Sequence, residues 1–129
     1  MLKSLSFSVF VAVALAAGAA LAVEPATMTP PMAKTGMFVN AKGMTLYTFD
    51  KDTAGSGKSV CNGQCATNWP PLMAADADTA SGDYSIVTRD DGKKQWALKG
   101  KPLYHWIKDT KAGDTTGEGV MGAWHVVKP

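Results

Sequence analysis

A twelve-residue stretch occurs twice, and this duplication constrains the fold more than any other feature of the chain. Lys42-Gly43-Met44-Thr45-Leu46-Tyr47-Thr48-Phe49-Asp50-Lys51-Asp52-Thr53 returns as Lys99-Gly100-Lys101-Pro102-Leu103-Tyr104-His105-Trp106-Ile107-Lys108-Asp109-Thr110 at a constant offset of 57 positions. Seven of the twelve positions are identical, and an eighth exchanges one aromatic residue, Phe49, for another, Trp106. An internal repeat is read before any local propensity because it fixes the architecture. A unit duplicated once does not build a solenoid. It predicts one domain made of two related halves, each completing the other.

The first 22 residues read as a secretory signal peptide. Lys3 supplies the positive start, Leu5 to Ala20 are apolar and Ala-rich, and Ala20-Leu21-Ala22 is a small-x-small cleavage signal. No cysteine lies near that site, so no lipid anchor is expected, nor a stable membrane anchor after cleavage. Cleavage before Val23 leaves roughly 107 residues, enough for one domain with a modest core. The expected location is the periplasm or the extracellular space. Without Lys3 the balance is twelve basic to eleven acidic side chains. Nucleic-acid binding needs a cationic stripe, which this chain does not carry.

Residues 23–36 are rich in Pro, Ala and Met and read as a flexible lead-in. A two-repeat domain is expected over 37–127, with repeat 1 at about 37–73 and repeat 2 at about 84–127. In the first half, Met37–Asn40 and Met44–Phe49 read as strands around a turn at Ala41-Lys42-Gly43. Asp50–Lys58 is a polar Gly-rich loop. Ser59–Trp69 reads as a short helix with Ser59 as N-cap, stopped by Trp69-Pro70-Pro71. Met73–Gly82 reads as loop. In the second half, Tyr84–Arg89 and Lys93–Leu98 flank Asp90-Asp91-Gly92, a strong hairpin signal. Leu103–Ile107 is a further strand, Lys108–Gly119 a second polar loop, and Ala123–Val127 a closing strand. The expected fold is mainly β: an antiparallel β-rich single domain built from two repeats, with at most one or two short helices. Equivalent placement of the two polar loops predicts a shared contact surface.

Side chains alternate faces along a strand. Tyr47 and Phe49 therefore share one face, as do Tyr104 and Trp106, while Leu46 and Leu103 point to the other. The aromatic residues Tyr47, Phe49, Trp69, Tyr104, Trp106 and Trp124 are the expected inter-repeat core, with part of the set lining a shallow cleft. A buried tyrosine needs a partner for its hydroxyl. Asp52 and Asp109 are the candidates, yet each lies five residues beyond its own tyrosine, roughly 17 Å along an extended chain. A meeting requires a sharp turn, or each tyrosine must reach the aspartate of the other half. The expected arrangement is the local one, in which each Asp-Thr marks a strand end and its carboxylate takes nearby backbone amides.

The two copies, Tyr47-Thr48-Phe49-Asp50-Lys51-Asp52 and Tyr104-His105-Trp106-Ile107-Lys108-Asp109, resemble the Yx(FWY)xxD motif of a bacterial secreted-repeat family often labelled predicted lipoprotein. Cys61–Ala66 followed by Trp69-Pro70-Pro71-Leu72 is similar to the family's first repeat, and Gly122-Ala123-Trp124-His125-Val126 to its closing strand. The resemblance spans nearly all of 37–127. It implies an exported two-repeat domain and no particular reaction, since the family is of unknown function. The missing lipidation cysteine means that anchoring does not carry over.

Cys61 and Cys65 are the two cysteines of the chain. In an oxidising compartment the first reading is a structural disulfide. A redox-active pair and a metal site are the alternatives, although C-x-x-C and C-x-x-C-H spacings are absent. Two residues four apart on a regular helix sit near the upper limit for a bridge, so a distorted turn is expected there. Copper is the sharper metal hypothesis. Soft thioethers select Cu(I), and imidazole suits copper. The candidate ligands are Met28 and Met32, spaced across Thr-Pro-Pro, with His105 and His125. Against it, Met fills cores readily, and His105 alternates with Leu103 and Ile107 as an interior histidine would. Hydrolase, zinc-protease, phosphate-loop and dinucleotide signatures are missing. The functional expectation is an exported, non-enzymatic binding or structural module with no cofactor and an unidentified periplasmic ligand or protein partner. The alternatives are a periplasmic copper-binding or electron-transfer accessory protein and a thiol–disulfide enzyme.

Overall fold

The computed structural model describes residues 32–34 and 36–129. Short strands dominate: β1 (Met32–Lys34), β2 (Met37–Val39), β3 (Tyr47–Phe49), β4 (Met73–Ala74), β5 (Tyr84–Thr88), β6 (Lys94–Leu98), β7 (Lys101–Pro102) and β8 (Trp124–Val126). They are joined by helix α1 (Gln64–Asn68) and a 3-10 turn at Val120–Gly122. All strand pairs are antiparallel, with β1 on β2, β3 on β8, and β6 flanked by β4, β5 and β7. The mainly β, two-repeat architecture expected from the sequence is the one observed.

The two motif strands meet at the centre. Tyr47 N–H donates to the Tyr104 carbonyl at 2.8 Å, and Tyr104 N–H returns the bond to Tyr47 at 2.9 Å. Each is then flanked by the closing segment of the other repeat. In the register of β3 and β8, Tyr47 faces Val126 and Phe49 faces Trp124. On the opposite side His105 N–H donates to Pro70 and Ile107 N–H to Asn68. The same exchange recurs farther out, where Leu72 N–H bonds Leu103 and Val127 N–H bonds Leu46. These reciprocal bonds define a pseudo-twofold axis between Tyr47 and Tyr104. The repeats are interleaved rather than placed side by side.

Strand alternation then sorts the core into two clusters. Leu46 and Leu103 point to one, packed with Leu72, Ala74, Trp96, Leu98 and Val127. Tyr47 and Tyr104 point to the other, packed with Phe49, Cys61, Trp69, Ala123 and Trp124. The second contains a column of four stacked rings, Trp106 on Trp69 on Trp124 on Phe49, with centroid spacings of 4.0, 3.8 and 4.2 Å. Tyr47 and Tyr104 meet Trp69 and Trp124 edge-on. Each aromatic pair adds about 0.5–1.5 kcal/mol beyond burial. Gly117 sits against this column, where a Cβ would lie 2.9 Å from both Trp69 and Tyr47. A side chain there has no room.

Several boundaries differ from the sequence reading, each for a physical reason. The end of the expected flexible lead-in forms β1 by pairing with β2. The expected strand Leu103–Ile107 is reduced to single bridges, because Pro70, Pro71 and Pro102 remove ladder donors. Met73–Ala74, expected as loop, is held as β4 by Gln95 and Lys94 of β6. The helix starts at Gln64 and has no side-chain cap. Ser59 is drawn away from capping by Tyr104 and Arg89, to which its hydroxyl is bonded.

The tyrosines and aspartates cross between repeats. Tyr47 OH donates to Asp109 Oδ2 at 2.6 Å, and Tyr104 OH to Asp52 Oδ2 at 2.5 Å. This corrects the expectation of purely local carboxylates. Each aspartate does take a local amide on its other oxygen, Asp52 from Val60 and Asp109 from Thr116. The chain turns sharply after each motif strand, with Asp52 N–H bonded to Phe49 and Asp109 N–H to Trp106. The turn brings each carboxylate round to the neighbouring repeat. Both phenolic oxygens also accept a bond, Tyr47 from Gly117 N–H and Tyr104 from the Ser59 hydroxyl, whose proton must point there because the phenol proton is committed to Asp52.

Hydrogen bonds to charged groups are worth about 1.5–3 kcal/mol. Tyr47→Phe and Tyr104→Phe are each expected to lower stability by about that amount in urea unfolding. In a double-mutant cycle Tyr47→Phe should be strongly non-additive with Asp109→Asn and additive with Asp52→Asn. Burial and the neighbouring carboxylate raise both phenols above their usual value. Their stabilisation is therefore complete below about pH 10 and is lost as pH climbs through the raised values. Absorbance titration should find Tyr47 and Tyr104 un-ionised until the fold opens in alkali.

Candidate functional site

Among the described residues, chemistry is concentrated in four places, and in three of them the polar groups are already bonded to one another. The Tyr–Asp pairs are the first. All four residues are buried, and each phenol is bonded to its carboxylate, so the motif is interior structure. Phe49 and Trp106 belong to the ring column rather than to a cleft.

The second is the cysteine segment. Cys61 and Cys65 form a disulfide with Cα atoms 5.2 Å apart. Cys61 precedes the helix and Cys65 lies inside it, so the pair is not a regular helical i, i+4 pair. The sharp entry, with Cys65 N–H bonded to Asn62, shortens the span. Cys61 is fully buried against the aromatic cluster. Arg89, also buried, ties this segment to the end of β5. Its guanidinium donates to Ser59 Oγ, the Cys61 carbonyl, Asn62 Oδ1 and Gln95 Oε1. Its charge is met by neutral oxygens.

The third comprises the two histidines, which have entirely different partners. His105 Nδ1 lies 3.0 Å from the Pro70 carbonyl, which only accepts, so this nitrogen carries the proton. Nε2 then accepts from Asn40 Nδ2 at 3.0 Å. Asn40 is oriented by Lys42 and Met44 amides on its Oδ1. Burial lowers the basicity of this ring. His125 is half-exposed, with Nδ1 on Glu118 and Nε2 on Asp50, each at 3.0 Å. Those two carboxylates raise its pKa. His125 also supplies a link between the two polar loops, through Asp50 at the start of one and Glu118 near the end of the other. Otherwise each loop folds onto the Lys-Gly turn of the opposite repeat, Gly55 N–H on Gly100 and Gly113 N–H on Gly43.

Both nitrogens of both rings are occupied, and the His125 carboxylates lie at opposite ring edges. Among the described residues no cluster of three or more His, Cys, Asp or Glu side chains is placed to hold a metal. Met28 and the side chain of Met32 lie outside the described residues. Among the described residues, no helix is long and apolar enough to cross a membrane.

The fourth place is open. A groove of about 670 Å³ runs between the start of the β5–β6 hairpin, β2 and the C-terminal segment. Its apolar lining includes Phe38, Tyr84, Leu98, Val126 and Val127, with Thr48 of the first motif strand. Lys99, Lys101 and Lys128 stand around it, with Asp83 as the acidic member. Phe38 and Tyr84 meet edge-to-face with ring centroids 6.5 Å apart, and Tyr84 pairs with Leu98 in the β5–β6 register. Both repeats contribute. Thr48 has His105 as its counterpart in the second copy, where the bonded ring occupies the equivalent motif position. Sequence reasoning missed this groove because it weighed the repeat motif, the cysteines, the methionines and the histidines and did not ask what the copies place around the motif strands. The signal lay where they differ: Lys101 replaces Met44, and Thr48 replaces His105.

Proton NMR titration is expected to place the His125 transition above about 6.5 and that of His105 below it. Asp50→Asn with Glu118→Gln should bring His125 back toward the ordinary value. Protonating His105 sacrifices the Asn40 bond, so its contribution to stability holds above about pH 6.5 and declines as pH falls.

Comparison with known proteins gives one assignment. No curated protein matches the chain, and no solved structure matches it. A family model, described as a secreted repeat of unknown function, matches twice, over residues 32–73 and 85–128. The two matches cover most of the chain and coincide with the interleaved halves, and the description agrees with export. The chain belongs to this family of secreted repeats (Lipoprotein_15), and it carries two copies of the repeat.

Proposed function

We propose that this protein is an exported, non-catalytic binding module that acts in the periplasm and takes its ligand in the groove between β2, the β5–β6 hairpin and the C-terminal segment. The observation that carries this reading is the groove itself. Its volume of about 670 Å³ falls within the range of small-molecule sites, and it combines an apolar lining with a few charged groups. The remaining chemistry supports binding over turnover. The tyrosines and carboxylates of the repeat motif are buried and mutually bonded, and His105 is fixed at both nitrogens. The disulfide serves as a staple for the segment that carries Ser59 and Arg89's acceptors. A bridge with this role has a reduction potential below roughly −300 mV.

Mass spectrometry of protein purified natively from the exporting cell tests the reading. The expected result is a mature N-terminus near Val23, an oxidised Cys61–Cys65 pair and a small molecule released on denaturation. Thr48→Phe, which fills the groove from the exposed side of β3, should abolish that co-purification while leaving the near-ultraviolet circular dichroism of the ring column intact. Robust turnover of ester, glycoside or peptide substrates would overturn the proposal, as would a ligand retained unchanged by Thr48→Phe.

A further inference from the structure

Resting on the reading of the groove as the ligand site, we infer that its ligand is a small amphipathic anion: an apolar chain or ring system carrying a single carboxylate. Two features point to this chemistry. The first is the apolar lining. Phe38, Tyr84 and Leu98 form a continuous surface through the Phe38–Tyr84 ring contact and the Tyr84–Leu98 strand pairing. Such a surface gains from covering a hydrocarbon body, at about 25 cal/mol per Å² of apolar area removed from water.

The second feature is charge. Lys99, Lys101 and Lys128 line the groove against one acid, Asp83. All three lysines are exposed, and none has an ion pair within 4.0 Å among the described residues, where the ion pairs are those of Lys111 and His125. Lys128 shares its field with Glu118, whose carboxyl it helps to lower. Counting side chains, three ammonium groups against one carboxylate favour an anion, and the volume of the groove suits a small molecule.

The backbone at Lys99 agrees with this assignment. Lys99 has φ +52, in the left-handed region that favours glycine or asparagine, whereas its counterpart Lys42 is not among the residues with positive φ. The carbonyl of Asp83 holds it there by accepting the Lys99 N–H at 2.8 Å. The second repeat thus tolerates a strained lysine at the groove where the first has a relaxed one. Lys101 occupies the place of Met44, so this cation is a departure from the first copy, whereas Lys99 keeps the lysine found at Lys42 and differs in its backbone.

Isothermal calorimetry of the mature protein with dodecanoate, dodecanol and dodecyltrimethylammonium, each below its micelle concentration, tests the inference, with backbone amide shifts at Phe38, Tyr84 and Leu98 reporting the site. Dodecanoate is expected to bind at least about tenfold more tightly than dodecanol, and the cationic amphiphile not at all. Raising salt from about 50 mM to about 500 mM should weaken dodecanoate alone. The triple variant Lys99→Asn, Lys101→Gln, Lys128→Gln should lose about tenfold in dodecanoate affinity and keep its dodecanol affinity. Asparagine is chosen at 99 because it suits the left-handed backbone. Equal binding of all three amphiphiles, with shifts at the groove, would overturn the anion assignment and leave the groove as a binding site. No binding and no shifts at these residues would overturn both. Dodecanoate binding unaffected by the triple variant would place the carboxylate elsewhere and overturn the inference.

Discussion

Each repeat buries a phenol that only the other repeat can satisfy, and the rest of the structure depends on that exchange. Tyr47 lies fully inside with its hydroxyl on Asp109, and Tyr104 lies fully inside with its hydroxyl on Asp52. A buried polar group without a partner costs about 1–3 kcal/mol, and more when charged. Separating the repeats would leave two phenols and two carboxylates unpaired at once. The crossing thus specifies register as well as stability. A strand slip by one residue would turn Tyr47 and Leu46 to the wrong faces and detach both pairs. The same geometry stacks the four rings, because Trp69 and Trp124 arrive on the closing segments that each repeat lends to its neighbour.

Much of this was legible in the chain. The 57-residue offset announced two halves, and strand alternation placed Tyr47 and Tyr104 opposite Leu46 and Leu103. The Asp90-Asp91-Gly92 turn formed as read, with Gly92 N–H returning to Arg89. The partner of each tyrosine was not legible. Local capping by Asp52 and Asp109 is real but uses one carboxylate oxygen, and nothing in a linear sequence says where the other oxygen points. Strand lengths were overestimated where proline removes donors, since Pro70 and Pro71 lie on the partner segment, outside the strand being read. Ser59 looked like a helix cap because capping is a local rule. Its tertiary partners, Tyr104 and Arg89, lie 45 and 30 positions away.

Departures from symmetry carry the functional argument. Leu46, Tyr47 and Asp52 agree with Leu103, Tyr104 and Asp109 and are interior, whereas the lysines and threonines that the copies share are exposed. Where the copies differ, the surface changes character. His105 is bonded to Asn40 and Pro70 at one end of the pseudo-twofold, while its counterpart Thr48 lines an open groove at the other. Duplication supplied the interleaved scaffold, and divergence placed Lys101 beside the groove where the first copy has Met44. A rigid frame with one open edge suits recognition, since little ordering is needed on binding.

The central claim, that neither half has an interior of its own, is tested most directly by dividing the chain in the loop between β4 and β5 and examining the two pieces separately and together. Circular dichroism and sedimentation should find each isolated piece unfolded as a monomer, and a stoichiometric complex with native near-ultraviolet signal when they are combined. A monomeric piece that folds cooperatively by itself would contradict the account.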